Sequence, residues 1–238
     1  KNPIFIFWVA VLEISNPWGF DGMRYTRQGQ ACTAGSRVYI HEKIYDKVLD
    51  GAVKKLSKLK MGNALDEKSD IGAIISEEQL KRTLYYMDIA KKNSSTKILH
   101  GGNQSKGGEY KDGFYYEPTL LSGLPVSSPV CQEEVFGPVA CAIPFKSFDE
   151  VMKSANDTQF GLSAVLWTKD LSRALQFVDE IEAGFVQVNQ CVAPRANVSY
   201  GGIKMSGLGK EYAFDSMMNH FTQSKTVLIN RGKSSIDV

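Results

Sequence analysis

Residues 139–189 read VACAIPFKSFDEVMKSANDTQFGLSAVLWTKDLSRALQFVDEIEAGFVQVN, and this stretch decides the fold. Val139–Phe145 is a short apolar run rich in β-prone residues. Ser147-Phe-Asp-Glu150 is a capping box, in which serine and glutamate side chains satisfy backbone donors at a helix start. It opens a helix running to about Asn156. Ser163–Thr168 is strand-like again and Asp170–Glu182 is amphipathic. Gly184 ends that helix just before the strand Phe185–Asn189. Apolar strands alternating with covering helices predict a parallel or mixed sheet in a layered α/β domain.

The alternation extends outward on both sides. Ile4–Leu12, Arg37–His41, Lys97–His100 and Lys225–Asn230 are further candidate strands. In Glu42–Leu59 the residues Ile44, Val48, Ala52 and Leu56 recur every four positions and predict one apolar helical stripe. Ser76-Glu-Glu-Gln79 is a second capping box and opens a helix over Glu77–Lys92. The glycine-rich stretch His100–Gly113 reads as a surface loop, because patterned elements resume on both sides. The fold class expected is therefore α/β, with an open, twisted, mostly parallel sheet flanked by helices. One domain is the simplest organisation. The last strand, KTVLIN, follows a short helical segment and is expected to pair outside the core.

Composition narrows the function. The 238 residues carry 28 Lys plus Arg against 26 Asp plus Glu, a net charge of +2. That balance is no electrostatic footprint for nucleic acid or an anionic membrane, so neither partner is expected. The apolar run PIFIFWVAVL at 3–12 is too short to span a bilayer and has no cleavage site after it. Cys32, Cys131, Cys141 and Cys191 lack CxxC spacing, and His41, His100 and His220 lie far from them in sequence. This pattern predicts neither a disulfide scaffold nor a zinc site, and free thiols suit a reducing, cytoplasmic compartment.

The densest chemical signal is Gln28-Gly29-Gln30-Ala31-Cys32-Thr33-Ala34-Gly35-Ser36-Arg37. Glycines and small residues around one cysteine let a substrate approach both the sulfur and the backbone amides. A cysteine nucleophile needs that access, together with donors aimed at the oxyanion it creates. A lone cysteine taken by itself is read as a structural thiol.

Four ordered blocks reverse that reading. GQACTAGSR resembles the catalytic-cysteine signature of the NAD(P)-dependent aldehyde dehydrogenases. EEVFGPV at 133–139, NDTQFGLSAVLWT at 156–168, and GGIKMSG at 201–207 followed by Gly209-Lys210-Glu211 resemble three more of its segments. The resemblance covers nearly the whole chain and implies an aldehyde dehydrogenase catalytic domain over 1–224. It implies that 225–238 is a strand and tail used in oligomerisation, giving a homodimer or homotetramer in the full-length protein. The family's chain is roughly twice as long, with a Rossmann-like cofactor domain first. Lys1–Pro3 looks like the continuation of the family's ELGGKNP motif, cut after its glycines. On that expectation the deacylating glutamate, the oxyanion asparagine and most of the cofactor site lie outside these residues. The 238-residue chain would then be inactive as a dehydrogenase.

Carried over by position, the resemblance implies Cys32 as nucleophile and Glu134 as the acid that hydrogen-bonds the nicotinamide ribose of NAD or NADP. Phe136 would pack beside that ribose, and Glu211 would belong to a proton relay toward water. Tyr200 stands where many members carry a phenylalanine lining the aldehyde tunnel. Arg27 replaces an Asn or His two positions before Gly29, and would act on the thiol or on an acidic substrate. Other readings keep the fold or the cysteine: a coenzyme A-acylating enzyme, a crystallin-like structural relative, or a cysteine hydrolase using His41 or His220. The glycine-rich setting predicts that Cys32 is the most reactive of the four thiols. Limiting iodoacetamide followed by peptide mapping should label it first, and first labelling of Cys131, Cys141 or Cys191 contradicts that.

Overall fold

In the computed structural model, residues 4–7, 25–190 and 194–230 are described. Seven strands form one sheet: β1 (Ile4–Phe7), β2 (Arg37–His41), β3 (Lys97–His100), β4 (Thr119–Ser122), β5 (Val139–Phe145), β7 (Ser163–Trp167) and β8 (Phe185–Val188). Their order is β3-β4-β5-β2-β1-β7-β8, and every neighbouring pair is parallel except the edge pair β3–β4. A small antiparallel pair, β6 (Phe160–Gly161) with β9 (Ile203–Lys204), stands apart from the sheet.

Helices cover both faces, and the strand alternation shows which residues meet them. Val139, Cys141, Ile143 and Phe145 of β5 join one core, with Tyr39, Leu121, Ala164 and Leu166. Helices α2 (Glu77–Lys92), α3 (Pro129–Gln132), α4 (Phe148–Asn156) and α5 (Leu171–Glu180) lie over that face. Ala140 and Ala142 point the other way and join Val38, Ile40, Leu120, Val165 and Trp167, under α1 (Tyr45–Leu56). Burial of both sheet faces is why these strands read as nearly continuous apolar runs.

Both serines cap their helices as expected, Ser76 accepting from the Gln79 backbone N–H and Ser147 from that of Glu150, each at 3.2 Å. The reciprocal half of each box is absent: Glu150 accepts instead from Lys146 N–H at 2.9 Å, and Gln79 Nε2 donates to the Val135 and Phe136 carbonyls. Asp170 caps α5 through Arg173 N–H at 3.1 Å. The predicted stripe on α1 is displaced slightly: Leu49, Ala52 and Leu56 are buried, with Ile44 and Val48 packed at the margin. A 3-10 turn over Glu42–Ile44 precedes that helix.

One strand escaped the sequence pattern. Thr119–Ser122 is a fully buried strand that the pattern did not single out, because four residues between Pro118 and Gly123 show no alternation. Lys225–Asn230, expected to pair outside the core, joins no ladder among the described residues. Most of the predicted Ile4–Leu12 strand, from residue 8 on, lies outside the described residues, as does Cys191.

The short helix α6 (Phe214–Phe221) precedes that terminal segment and buries none of its residues. Phe214, Phe221 and Val227–Ile229 expose their apolar side chains, Leu228 by 93%. Apolar surface of this extent favours association. Sedimentation velocity should show concentration-dependent association of the chain, reduced by Leu228→Lys. A monodisperse monomer at all concentrations contradicts this.

Candidate active site

Parallel strands that lie side by side receive their chains at the same sheet edge. β2 and β5 are such neighbours, with Arg37 opposite Cys141. The loop that leads into β2 carries Cys32, and the loop that leads into β5 carries Glu134 and Phe136. The sheet therefore sets these two loops against each other.

Their contact is backbone to backbone. Arg27, Gln28 and Gly29 adopt φ values of 60°, 57° and 70°, a short left-handed turn. For residues bearing a Cβ this conformation costs about 1–2 kcal/mol each. The turn brings Gly29 so close to the Gly137 carbonyl that a methyl group there would collide with it. On the other side of the contact Phe136 is left-handed as well, at φ 53°. Tyr25, fully buried, anchors the start of the Cys32 loop by donating to Thr119 O at 2.9 Å.

Helix α2 holds the 133–136 segment through side chains spaced along one face. Gln79 Nε2 donates to the carbonyls of Val135 at 3.0 Å and Phe136 at 2.8 Å. Arg82 donates to the Glu134 carbonyl from Nε at 3.1 Å and from a terminal nitrogen at 2.7 Å. Tyr86 donates to the Glu133 carboxylate at 2.7 Å, and burial, with this bond, pushes the phenol up to about 12. Gln30 ties the Cys32 loop to the helix start by accepting from Ile75 N–H at 3.0 Å. Ile75, Ser76, Glu78, Gln79, Arg82, Glu134 and Phe136 together line a recess of about 590 Å³. A carboxylate and a ring at its margin suit a ligand with hydroxyls on one side and a flat face on the other.

The third part arrives from far along the chain. Tyr200 Oη lies 3.1 Å from Cys32 Sγ. Tyr200 and Glu211 exchange both backbone hydrogen bonds, 3.0 and 2.7 Å, in an antiparallel bridge. Cys32 is partly exposed, whereas Cys131 and Cys141 are buried. Glu134, Phe136 and Tyr200 are half-buried, and Arg27 and Glu211 are exposed. The structure thus joins Cys32 directly to Tyr200, and joins the Cys32 loop to the Glu134–Phe136 segment through Gly29 and Gly137, while the Arg27 side chain is exposed. The residues Gln79 and Arg82 were missed, although Gln79 is the last position of a capping box that the pattern did identify. Among the described residues no group of three or more His, Cys, Asp or Glu is placed to hold a metal, and no helix is long and apolar enough to cross a membrane.

The fold has clear counterparts. The model of the aldehyde dehydrogenase family matches residues 1–227, and the chain belongs to that family. An aldehyde dehydrogenase of Rhodospirillum rubrum is 39% identical over 203 residues, covering 85% of this chain and 40% of that protein. A betaine aldehyde dehydrogenase of Brucella melitensis is 34% identical over 233 residues, 98% of this chain and 47% of the relative. The crystal structure of betaine aldehyde dehydrogenase from Staphylococcus aureus in complex with NAD+ superimposes with a TM-score of 0.89 at 31% identity, over 99% of this chain and 46% of that one. The chain spans less than half the length of the curated relatives it matches.

Gly29→Ala should be costly, since it adds both left-handed strain and a clash with a backbone carbonyl that has no freedom to yield. A loss of about 1–3 kcal/mol in urea unfolding is expected. An unchanged midpoint would mean that the loop is not pinned there.

Proposed function

We propose that this chain supplies the nucleophilic part of an enzyme that oxidises an aldehyde to a carboxylic acid with NAD or NADP. The observation that carries the reading is the partly exposed Cys32 thiol, held in a glycine-bearing loop against the segment of Glu134 and Phe136. Family membership and the NAD+ complex of the S. aureus relative support it.

In this reading Cys32 Sγ adds to the aldehyde carbon and forms a thiohemiacetal, and the Cys32 backbone N–H donates to the oxygen that becomes negative. NAD(P), when bound, would supply the acceptor for the hydride that the thiohemiacetal carbon gives up, and Cys32 would then carry a thioester. The residues present fit that cofactor: Glu134 and Phe136 at the margin of the recess of about 590 Å³ would hold its ribose, the carboxylate as acceptor for hydroxyls and the ring as a flat contact. The carbonyls of Val135, Phe136 and Glu134 are already occupied by Gln79 and Arg82, so the segment is oriented before any ligand enters. Tyr200 lines the aldehyde's approach. Glu211 passes a proton toward water from its place across the backbone bridge to Tyr200, and the exposed Arg27 attracts an acidic substrate. Water then releases the acid from the thioester. We place the activity in a soluble, cytoplasmic homo-oligomer.

Acylation of Cys32 needs a nucleophile and a leaving group but no hydride acceptor. A nitrophenyl ester should therefore give a burst of nitrophenol of up to one equivalent per chain, reduced to background in Cys32→Ala. A burst that survives this substitution overturns the assignment.

A further inference from the structure

We propose that Tyr200 is the positioning residue of the Cys32 thiol, its phenolic hydroxyl fixing the direction of Sγ and donating to the thiolate once the sulfur has lost its proton. The proposal rests on the reading of Cys32 as the nucleophile.

The geometry carries it. The two atoms lie 3.1 Å apart although 168 residues separate them in sequence, within reach of a hydrogen bond involving sulfur. The tyrosine ring has little freedom. Phe185 meets it edge-on at 5.3 Å and 75°, and Tyr212 does so at 5.9 Å and 87°. Its backbone is locked by the two bonds to Glu211. The next residue, Gly201, is pressed against Gly184 at the start of β8, where a methyl group on Gly184 would run into its carbonyl. Lys210 Nζ then donates to the carbonyls of Gly201 at 3.2 Å and Gly202 at 3.1 Å. The hydroxyl is thus a fixed point, and the thiol orients toward it.

The direction of donation follows from acidity. A thiol ionises before a phenol. Burial, the bond to Cys32, and the charges of Cys32, Glu211 and Tyr212 all push the Tyr200 phenol further up. The phenol therefore keeps its proton while the sulfur gives its own to solvent or base, and O–H···S⁻ becomes a charge-assisted bond. Tyr200 loses no proton and forms no covalent bond. Among the described residues, the charged groups tied to the Tyr200 segment are Glu211, across the bridge, and Lys210, on the Gly201 and Gly202 carbonyls. Arg27 lies five residues before Cys32 with its side chain exposed.

The test is the rate of Cys32 alkylation by iodoacetamide in the full chain between pH 6 and 10, read by peptide mapping. Tyr200→Phe keeps the ring and removes the donor. The expected result is a profile moved to higher pH, with the rate at pH 7 lowered about tenfold and the plateau at high pH unchanged. A merely structural tyrosine would alter the unfolding midpoint and leave the profile alone, and an unmoved profile overturns the proposal. Phe185→Leu keeps the hydroxyl but frees the ring, and should move the profile the same way by a smaller amount. Should Tyr200→Phe fail to fold, an unmoved profile in Phe185→Leu overturns the proposal. Failure of the nucleophile reading shows itself separately, as an ester burst that survives Cys32→Ala.

Discussion

The approach of Gly29 to the Gly137 carbonyl is the constraint from which the site follows. It exists because β2 and β5 are parallel neighbours, so the chains entering them arrive together at one sheet edge. Any side chain at Gly29 would part the two loops. The cost of closeness appears as backbone strain on both sides: Arg27 and Gln28 before the contact, and Phe136 beside it, are all left-handed without being glycine. Hydrogen bonds to α2 and the buried anchor of Tyr25 offset that strain. Strain held by its surroundings at this point fits a preorganised site.

The edge itself is unusual for the architecture. Open α/β sheets generally bind ligands beyond the carboxyl ends of their strands, where helix N-termini gather. Here the Cys32 loop, the Glu134–Phe136 segment and the Gly184–Gly201 contact all lie where β2, β5 and β8 begin. At that edge, among the described residues, the chains that enter β2, β5 and β8 bring no strand-to-helix turn to supply amide donors for a phosphate. The chemistry on offer is a thiol, a carboxylate, a phenol and a ring, which suits the reacting end of a ligand better than a charged tail.

Arg37 shows how β2 is kept in place under such a loop. It is fully buried, and no carboxylate pairs with it among the described residues. Its guanidinium instead donates to Ser154 O at 3.2 Å and Ala155 O at 3.1 Å, at the carboxyl end of α4, and to Tyr39 Oη at 3.2 Å. The negative end of a helix dipole compensates part of the cost of a buried cation. The charge thereby ties α4 to the first residue of the strand that follows the Cys32 loop.

What could be read in advance divides along the same physical line. Val139–Phe145, Glu77–Lys92 and Phe148–Asn156 were legible because periodicity and caps are local properties, written in adjacent residues. Thr119–Ser122 was not, since its burial comes from β3 and β5 on either side and leaves no alternation to detect. The resemblance of short blocks marked Cys32, Glu134, Phe136 and Tyr200 individually, but no spacing relates Cys32 to a hydroxyl 168 residues away. That meeting depends on β8 starting at the same edge as β2, with β1 and β7 between them, and on glycines at 184 and 201 that let the returning chain lie flat against the sheet. Sequence locality shows the parts, whereas the parallel order of the strands decides which of them touch.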